Sequence, residues 1–281
     1  MNYIPETSVY KMEYVKNSII EAIEKKKPFS LVRFGDAEHK FIYSMLRDSE
    51  KKLLKGILKR QGIRANDTKH ILKMFKLSGN TADFISSFEC WLQPRHQKLI
   101  AFRFPTFELV EVWEDNYKRL GIKNKNYCDP NIGFFLFLHE FSPHLFDTLK
   151  SCNLCLITSE KFAGLWKKFK GFSSVTQILI PPEWGGSKDQ RKRIHSDRYL
   201  EIVNKIPKEK GMVYLIGAGF ASKIYAYHIK KNGGIALDVG KMIDYWATES
   251  FIPLRMQKIV RPRTEFYVGL TEVGEKFKEF I

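Results

Sequence analysis

The sequence predicts an α/β fold, a Rossmann-like, mostly parallel sheet flanked by helices. Three observations carry that expectation. From residue 150 onward, short apolar runs alternate regularly with helical patterns. A glycine-rich turn, GAGFAS at 217–222, sits between one such run and the next helix. An early apolar run, FSLVRF at 29–34, stops at Gly35-Asp36. Strands alternating with helices imply right-handed βαβ units and hence parallel strands.

Element by element, Val9, Met12, Val15, Ile19, Ile20 and Ile23 recur at helical spacing, and Pro28 closes that helix. FSLVRF is the first strand, and a helix from about Ala37 carries Phe41, Ile42, Met45 and Leu46. In the middle third, 99–104 reads as a strand, 106–120 as a helix, 123–130 as a polar connector and 132–138 as an apolar segment of either type. The regular part follows: strand 154–158, helix 161–169, strand 175–180, loop PPEWGGSKD, helix 190–206, strand 212–216, helix 221–231 and strand 235–239. No linker or internal repeat divides the chain, so 1–281 is expected to be one domain with an irregular tail.

Composition narrows the function classes. With 44% hydrophobic and 28% charged residues in 281, the chain has material for a core, and no apolar run approaches the roughly 20 residues of a bilayer span. The opening MNYIPETSVYKMEY lacks the basic-then-apolar order of a secretory signal, so a cytoplasmic protein is expected. Four cysteines make no disulfide framework, and Cys152 and Cys155 enter an apolar strand as buried thiols would. The seven histidines form no zinc-binding pair. The net charge of +16 falls in short groups at 25–27, 51–52, 167–168, 191–193 and 230–231. Such scattering reads as solvated basic surface, with an acidic substrate or an anionic membrane face as the functional alternative.

Two segments carry chemistry. In RFGDAE, Asp36 and Glu38 follow a strand's carboxyl end, where parallel sheets present ligands. Two carboxylates spaced by one residue can hold a Mg²⁺ or Mn²⁺ ion, and Arg33 beside them can grip a phosphate. The plain alternative is an exposed helix start whose acids suit the dipole. The second segment is GAGFAS with Asp238 some 20 residues on, the pattern of a dinucleotide or S-adenosylmethionine site. Ser222 stands in place of the third glycine, and only one strand follows, both against a full dinucleotide fold. Gly217 and Gly219 could serve the turn alone, and Asp238 could cap it. Trp184 could stack on a sugar or anchor its loop, Lys188, Arg191 and Arg193 could meet phosphate or solvent, and His39 is a bystander beside Glu38.

Taken together, RFGDAE and GAGFASKIYAYHIKKNGGIALDVGKMIDYW resemble the bacterial glycosyltransferases of the GT-D type fold. Ala37 and Lys241 depart from the commoner glycine and histidine of that pattern. The resemblance implies a metal-dependent, hexosyltransferase-like enzyme that moves a sugar from a nucleotide-diphosphate sugar, a UDP-sugar, to an acceptor hydroxyl in glycan synthesis. It assigns Asp36 and Glu38 as catalytic residues and metal ligands, and Arg33, Gly217, Gly219 and Asp238 as donor-binding residues. Mn²⁺ or Mg²⁺ is the implied cofactor. The acceptor would be a glycan, a lipid-linked sugar or a glycoprotein. Peripheral contact with the anionic inner membrane face is an expectation from charge, and no nucleic acid is expected. The alternatives are a dinucleotide or S-adenosylmethionine enzyme and a non-enzymatic basic binding protein.

Overall fold

The computed structural model describes residues 9–10, 12–47, 51–61, 63–87, 115–124, 126–128, 143–159, 165, 168–180, 196–240, 242, 243 and 246. The strands are β1 (Val9–Tyr10), β2 (Phe29–Phe34), β3 (Phe84–Ser87), β4 (Tyr127–Cys128), β5 (Asn153–Thr158), β6 (Ser174–Leu179), β7 (Val213–Gly217) and β8 (Ile235–Asp238). The helices are α1 (Met12–Glu24), α2 (Asp36–Leu46), α3 (Lys51–Gln61), α4 (Thr68–Thr81), α5 (Pro143–Lys150), α6 (Ser196–Lys205) and α7 (Ala221–Lys231).

The described strands make one sheet in the order β1-β4-β3-β2-β8-β7-β5-β6, and every pairing is parallel. Alternation with period two sorts the strand residues into two cores. Val32 and Phe34 of β2 join Phe41, Phe75, Tyr214, Ile216, Phe220 and Ile224 on one face, under α2, α3, α4, α6 and α7. Phe29 and Leu31 join Val15, Ile19, Leu145, Leu156, Leu215 and Leu237 on the other, under α1 and α5. β2, β7 and β8 are the inner strands and are almost wholly buried, which is why they read as continuous apolar runs.

Several boundaries differ from expectation. Val9 opens a two-residue strand on β4, and α1 begins at Met12. Helix α2 begins one residue early, at Asp36, because Gly35 is its N-cap and Glu38 reaches back to the Gly35 N–H at 3.0 Å. The connector expected over 123–130 contains β4, a strand defined only by pairing to β1 and β3. Helices α3 and α4 and strand β3 fill a stretch for which the pattern gave no element. The strand expected at 99–104, residues 106–114 of the next helix, the 132–138 segment and the tail lie outside the described residues. No helix among the described residues is long and apolar enough to cross a membrane.

Candidate functional site

The two sequence blocks meet at the carboxyl ends of β2, β7 and β8. Arg33 and Asp36 leave β2 for α2, Gly217 to Gly219 leave β7 for α7, and Asp238 ends β8. At their junction stands a residue that pattern reading passed over. The Lys223 ammonium, within the first turn of α7, donates to Glu38 Oε1 at 2.6 Å and to the Gly219 carbonyl at 3.2 Å, and lies 3.2 Å from Asp238 Oδ2. All three charged side chains are buried, with 4, 7 and 2% of their surface exposed for Lys223, Glu38 and Asp238.

Both carboxylates are fully engaged. Glu38 Oε2 accepts from the Gly35 N–H, while Asp238 accepts from the Arg33 N–H through Oδ2 at 3.3 Å and from the Gly240 N–H through Oδ1 at 3.2 Å. Burial alone would push the Lys223 ammonium down. The charges of Asp238 and Glu38 and the hydrogen bond to Glu38 outweigh it and hold Lys223 above the usual lysine range, against the opposing charge of Arg33. Among the described side chains, buried Lys223 and half-buried Arg33 together offset the charges of Glu38 and Asp238.

The Arg33 guanidinium lies over Gly240. A Cβ at Gly240 would stand 2.0 Å from Arg33 Nη1 and displace the guanidinium, and the backbone there has φ +53, which favours glycine. Gly217 has a packing reason as well, since its Cβ would meet the Gly240 carbonyl and Ile243 at 3.0 Å. Gly219 turns with φ +52 and offers its carbonyl to Lys223. The Ala218 N–H is taken by Ser222 Oγ at 3.1 Å, and the Ala221 and Ser222 N–H groups by Ala218 and Gly219 carbonyls. Three N–H groups of the turn are thus satisfied within it, and the Lys223 ammonium rests on the Gly219 carbonyl. Phe220 seals it from below against Phe41 and Phe75, each with ring centroids 5.3 Å away.

Glu38 is the anionic partner of Lys223, with Oε1 accepting from the ammonium and Oε2 from the Gly35 N–H. Among the described residues no group of three or more His, Cys, Asp or Glu could hold a metal. Asp238 is buried at the end of β8, engaged by Lys223 and by the Arg33 and Gly240 N–H groups. His39 is neutral and structural: burial, then the charge of Lys223, lowers its pKa to about 3, and Nε2 stands 3.2 Å from the Tyr117 hydroxyl. Cys155 is buried and Cys152 half-buried, both as free thiols, as expected. Trp184, Lys188, Arg191, Arg193 and Lys241 lie outside the described residues.

One signal for Lys223 was present in the sequence. A cation in a helix's first turn opposes the dipole, and α7 has no acid there to answer it. Such a lysine needs an anionic partner from elsewhere in the fold.

No family model and no curated protein matches the chain. Among solved structures it is similar to a new glycosyltransferase (DUF1792) from Streptococcus sanguinis, with a TM-score of 0.52 and 15% identity over 87% of this chain and 86% of that one. A selenomethionine-substituted structure of the domain of unknown function 1792 matches with a TM-score of 0.45 and 17% identity, over 84% of this chain and 81% of that one. The chain therefore has the α/β fold seen in the DUF1792 glycosyltransferase from Streptococcus sanguinis.

Proposed function

We propose that the chain is a glycosyltransferase, a single domain over 1–281 that moves a sugar from a nucleotide-diphosphate donor, a UDP-sugar, to an acceptor hydroxyl. The observation that carries this reading is the convergence of RFGDAE, GAGFAS and ALDVG at one carboxyl edge of the sheet, on a fold shared with a glycosyltransferase. The acceptor is a glycan, a lipid-linked sugar or a glycoprotein, met in the cytoplasm.

In this reading Arg33 supplies a planar fork for the diphosphate, whose charge builds as the glycosidic bond breaks. Lys223 works behind it. By balancing Glu38 and Asp238, it keeps two carboxylates from repelling the donor and fixes the turn below Arg33. Gly240 leaves the space in which the guanidinium lies, and Gly217 and Gly219 set the backbone on which Lys223 rests. A Mn²⁺ or Mg²⁺ ion would be held through Asp36 and the donor's own phosphate oxygens, and would supply further neutralisation of the leaving group. Glu38 is an orienting residue rather than an ion ligand.

The test is a thermal-shift panel of nucleotide-sugars with and without Mn²⁺. One donor should raise the melting temperature, by RT ln(1 + [L]/Kd) in stability, and Arg33→Ala should abolish the rise. NADH or S-adenosylmethionine giving the rise instead would overturn the reading.

A further inference from the structure

We infer that the outer face of α3 and α4 is an electrostatic docking surface for an anionic lipid bilayer. Residues 51–81 hold nine Lys and Arg against one Asp, so this stretch carries half of the chain's +16. The charge is therefore concentrated, in contrast to the scattering that the short runs imply. Neither α3 nor α4 contains an acid. Lys69, Lys73 and Lys76, spaced i, i+4, i+7, form one exposed ridge on α4, and Lys51, Lys52 and Lys55 are exposed on α3. The apolar sides of both helices are spent on the core, through Ile57 of α3 and Ile71, Met74 and Phe75 of α4.

On other helices of the described residues several lysines are answered by an acid within one turn. Lys16 pairs with Glu13, Lys25 with Glu21, Lys150 with Asp147 and Lys205 with Glu201, each at 2.6–2.8 Å. No ion pair joins the six exposed lysines Lys51, Lys52, Lys55, Lys69, Lys73 and Lys76 to an acid among the described residues. A single-sign field of this size costs self-repulsion and attracts a surface of opposite charge.

The chemistry of the face selects the partner. Among the described side chains its exposed cations are six lysines and Arg64 between the helices, and lysine acts as a point charge rather than a bidentate fork. Among its described residues it offers no aromatic platform for bases, since His70 stacks on Tyr199 within the fold at 5.5 Å and 15°. Asn80 is spent on Gly121 and Lys123. Diffuse point charges on amphipathic helices fit phospholipid headgroups rather than nucleic acid. Because β2 and β3 are parallel, α4 runs back across the sheet, and its N-terminal turn with Lys69 lies toward the edge that carries the site.

The inference stands apart from the proposed reaction and is tested without it. Co-sedimentation of the full chain is measured with vesicles of phosphatidylglycerol and phosphatidylcholine, and with phosphatidylcholine alone, across a salt series. The triple variant Lys69→Gln, Lys73→Gln, Lys76→Gln is compared with Lys25→Gln, Lys150→Gln, Lys205→Gln, which removes the same charge from paired sites. At about fivefold per lysine near the surface, the first should lose on the order of a hundredfold in partitioning and the second several-fold at most. Both sets are exposed, so melting temperatures should match wild type; any single lysine variant with wild-type melting replaces a triple that does not fold. Equal losses in the two triples, equal binding to neutral vesicles, or preference for a DNA duplex at the same salt would overturn the assignment.

Discussion

Lys223→Met removes the buried ammonium while keeping the length of the stem. Glu38 and Asp238 are then left as charges with at most 7% of their surface in water, and the bonds at 2.6 and 3.2 Å to Glu38 Oε1 and Gly219 O are lost. Breaking a buried pair from one side costs about 3–5 kcal/mol, most of it the desolvation of the charge left behind. A carboxylate without its counter-ion is relieved by taking up a proton. The deficit is therefore largest at neutral pH and shrinks as pH falls and the orphaned carboxylates are protonated. Urea unfolding of wild type and variant at pH 7 and pH 5 reads both numbers. Adding Glu38→Gln to Lys223→Met should restore a part of the loss, since one orphaned charge is removed. A deficit below about 1 kcal/mol at pH 7, or one unchanged by pH, would refute the argument that Lys223 is the counter-ion of the site.

Other outcomes follow from the same geometry. Gly240→Ala should cost about 1 kcal/mol in stability, the price of a side chain at φ +53, because the atom it strikes is the movable end of Arg33. Turnover should fall far more than stability, since the guanidinium must leave its place; equal modest losses would show that Arg33 has no role in the reaction. His39 has a folded pKa near 3 against 6.5 when exposed, so between these values the unfolded chain takes up a proton that the folded chain refuses. Stability should drop as pH falls below about 6.5, by about 1.4 kcal/mol per unit from this group. Over pH 6.5 to 5 a His39→Gln variant should lack that part of the slope in urea unfolding, and an identical slope would contradict the burial argument.

The sequence made β2, β5, β7 and β8 legible because strands buried on both faces are apolar throughout, and α7 because Gly219 and the basic end at 230–231 frame it. β4 was not legible, since two residues make a strand only through partners far along the chain. Helix α4 was missed where its apolar face, Ile71, Met74 and Phe75, is interrupted by lysines on the other side. The same lysines hide the basic face: short Lys and Arg runs dominate the linear charge pattern, whereas the helical period gathers non-adjacent lysines onto one ridge. At the site, Asp36 to Glu38 and the glycine turn were each found by local spacing. Their link was not, because Lys223 and Glu38 are 185 residues apart. A carboxylate's role depends on what faces it, and that partner comes from the fold.

The central claim is that Arg33, Asp36 and the Lys223-centred cluster form a donor site for a nucleotide-sugar. It is tested most directly by nucleoside diphosphate release from a donor panel, with Mn²⁺ and with chelator, by wild type, Asp36→Asn and Arg33→Gln proteins. The account predicts release from one donor by wild type, dependence on the ion, and losses of at least about a hundredfold in both variants at nearly unchanged melting temperature. No release or binding with any donor, or full activity in the Arg33 variant, would contradict it.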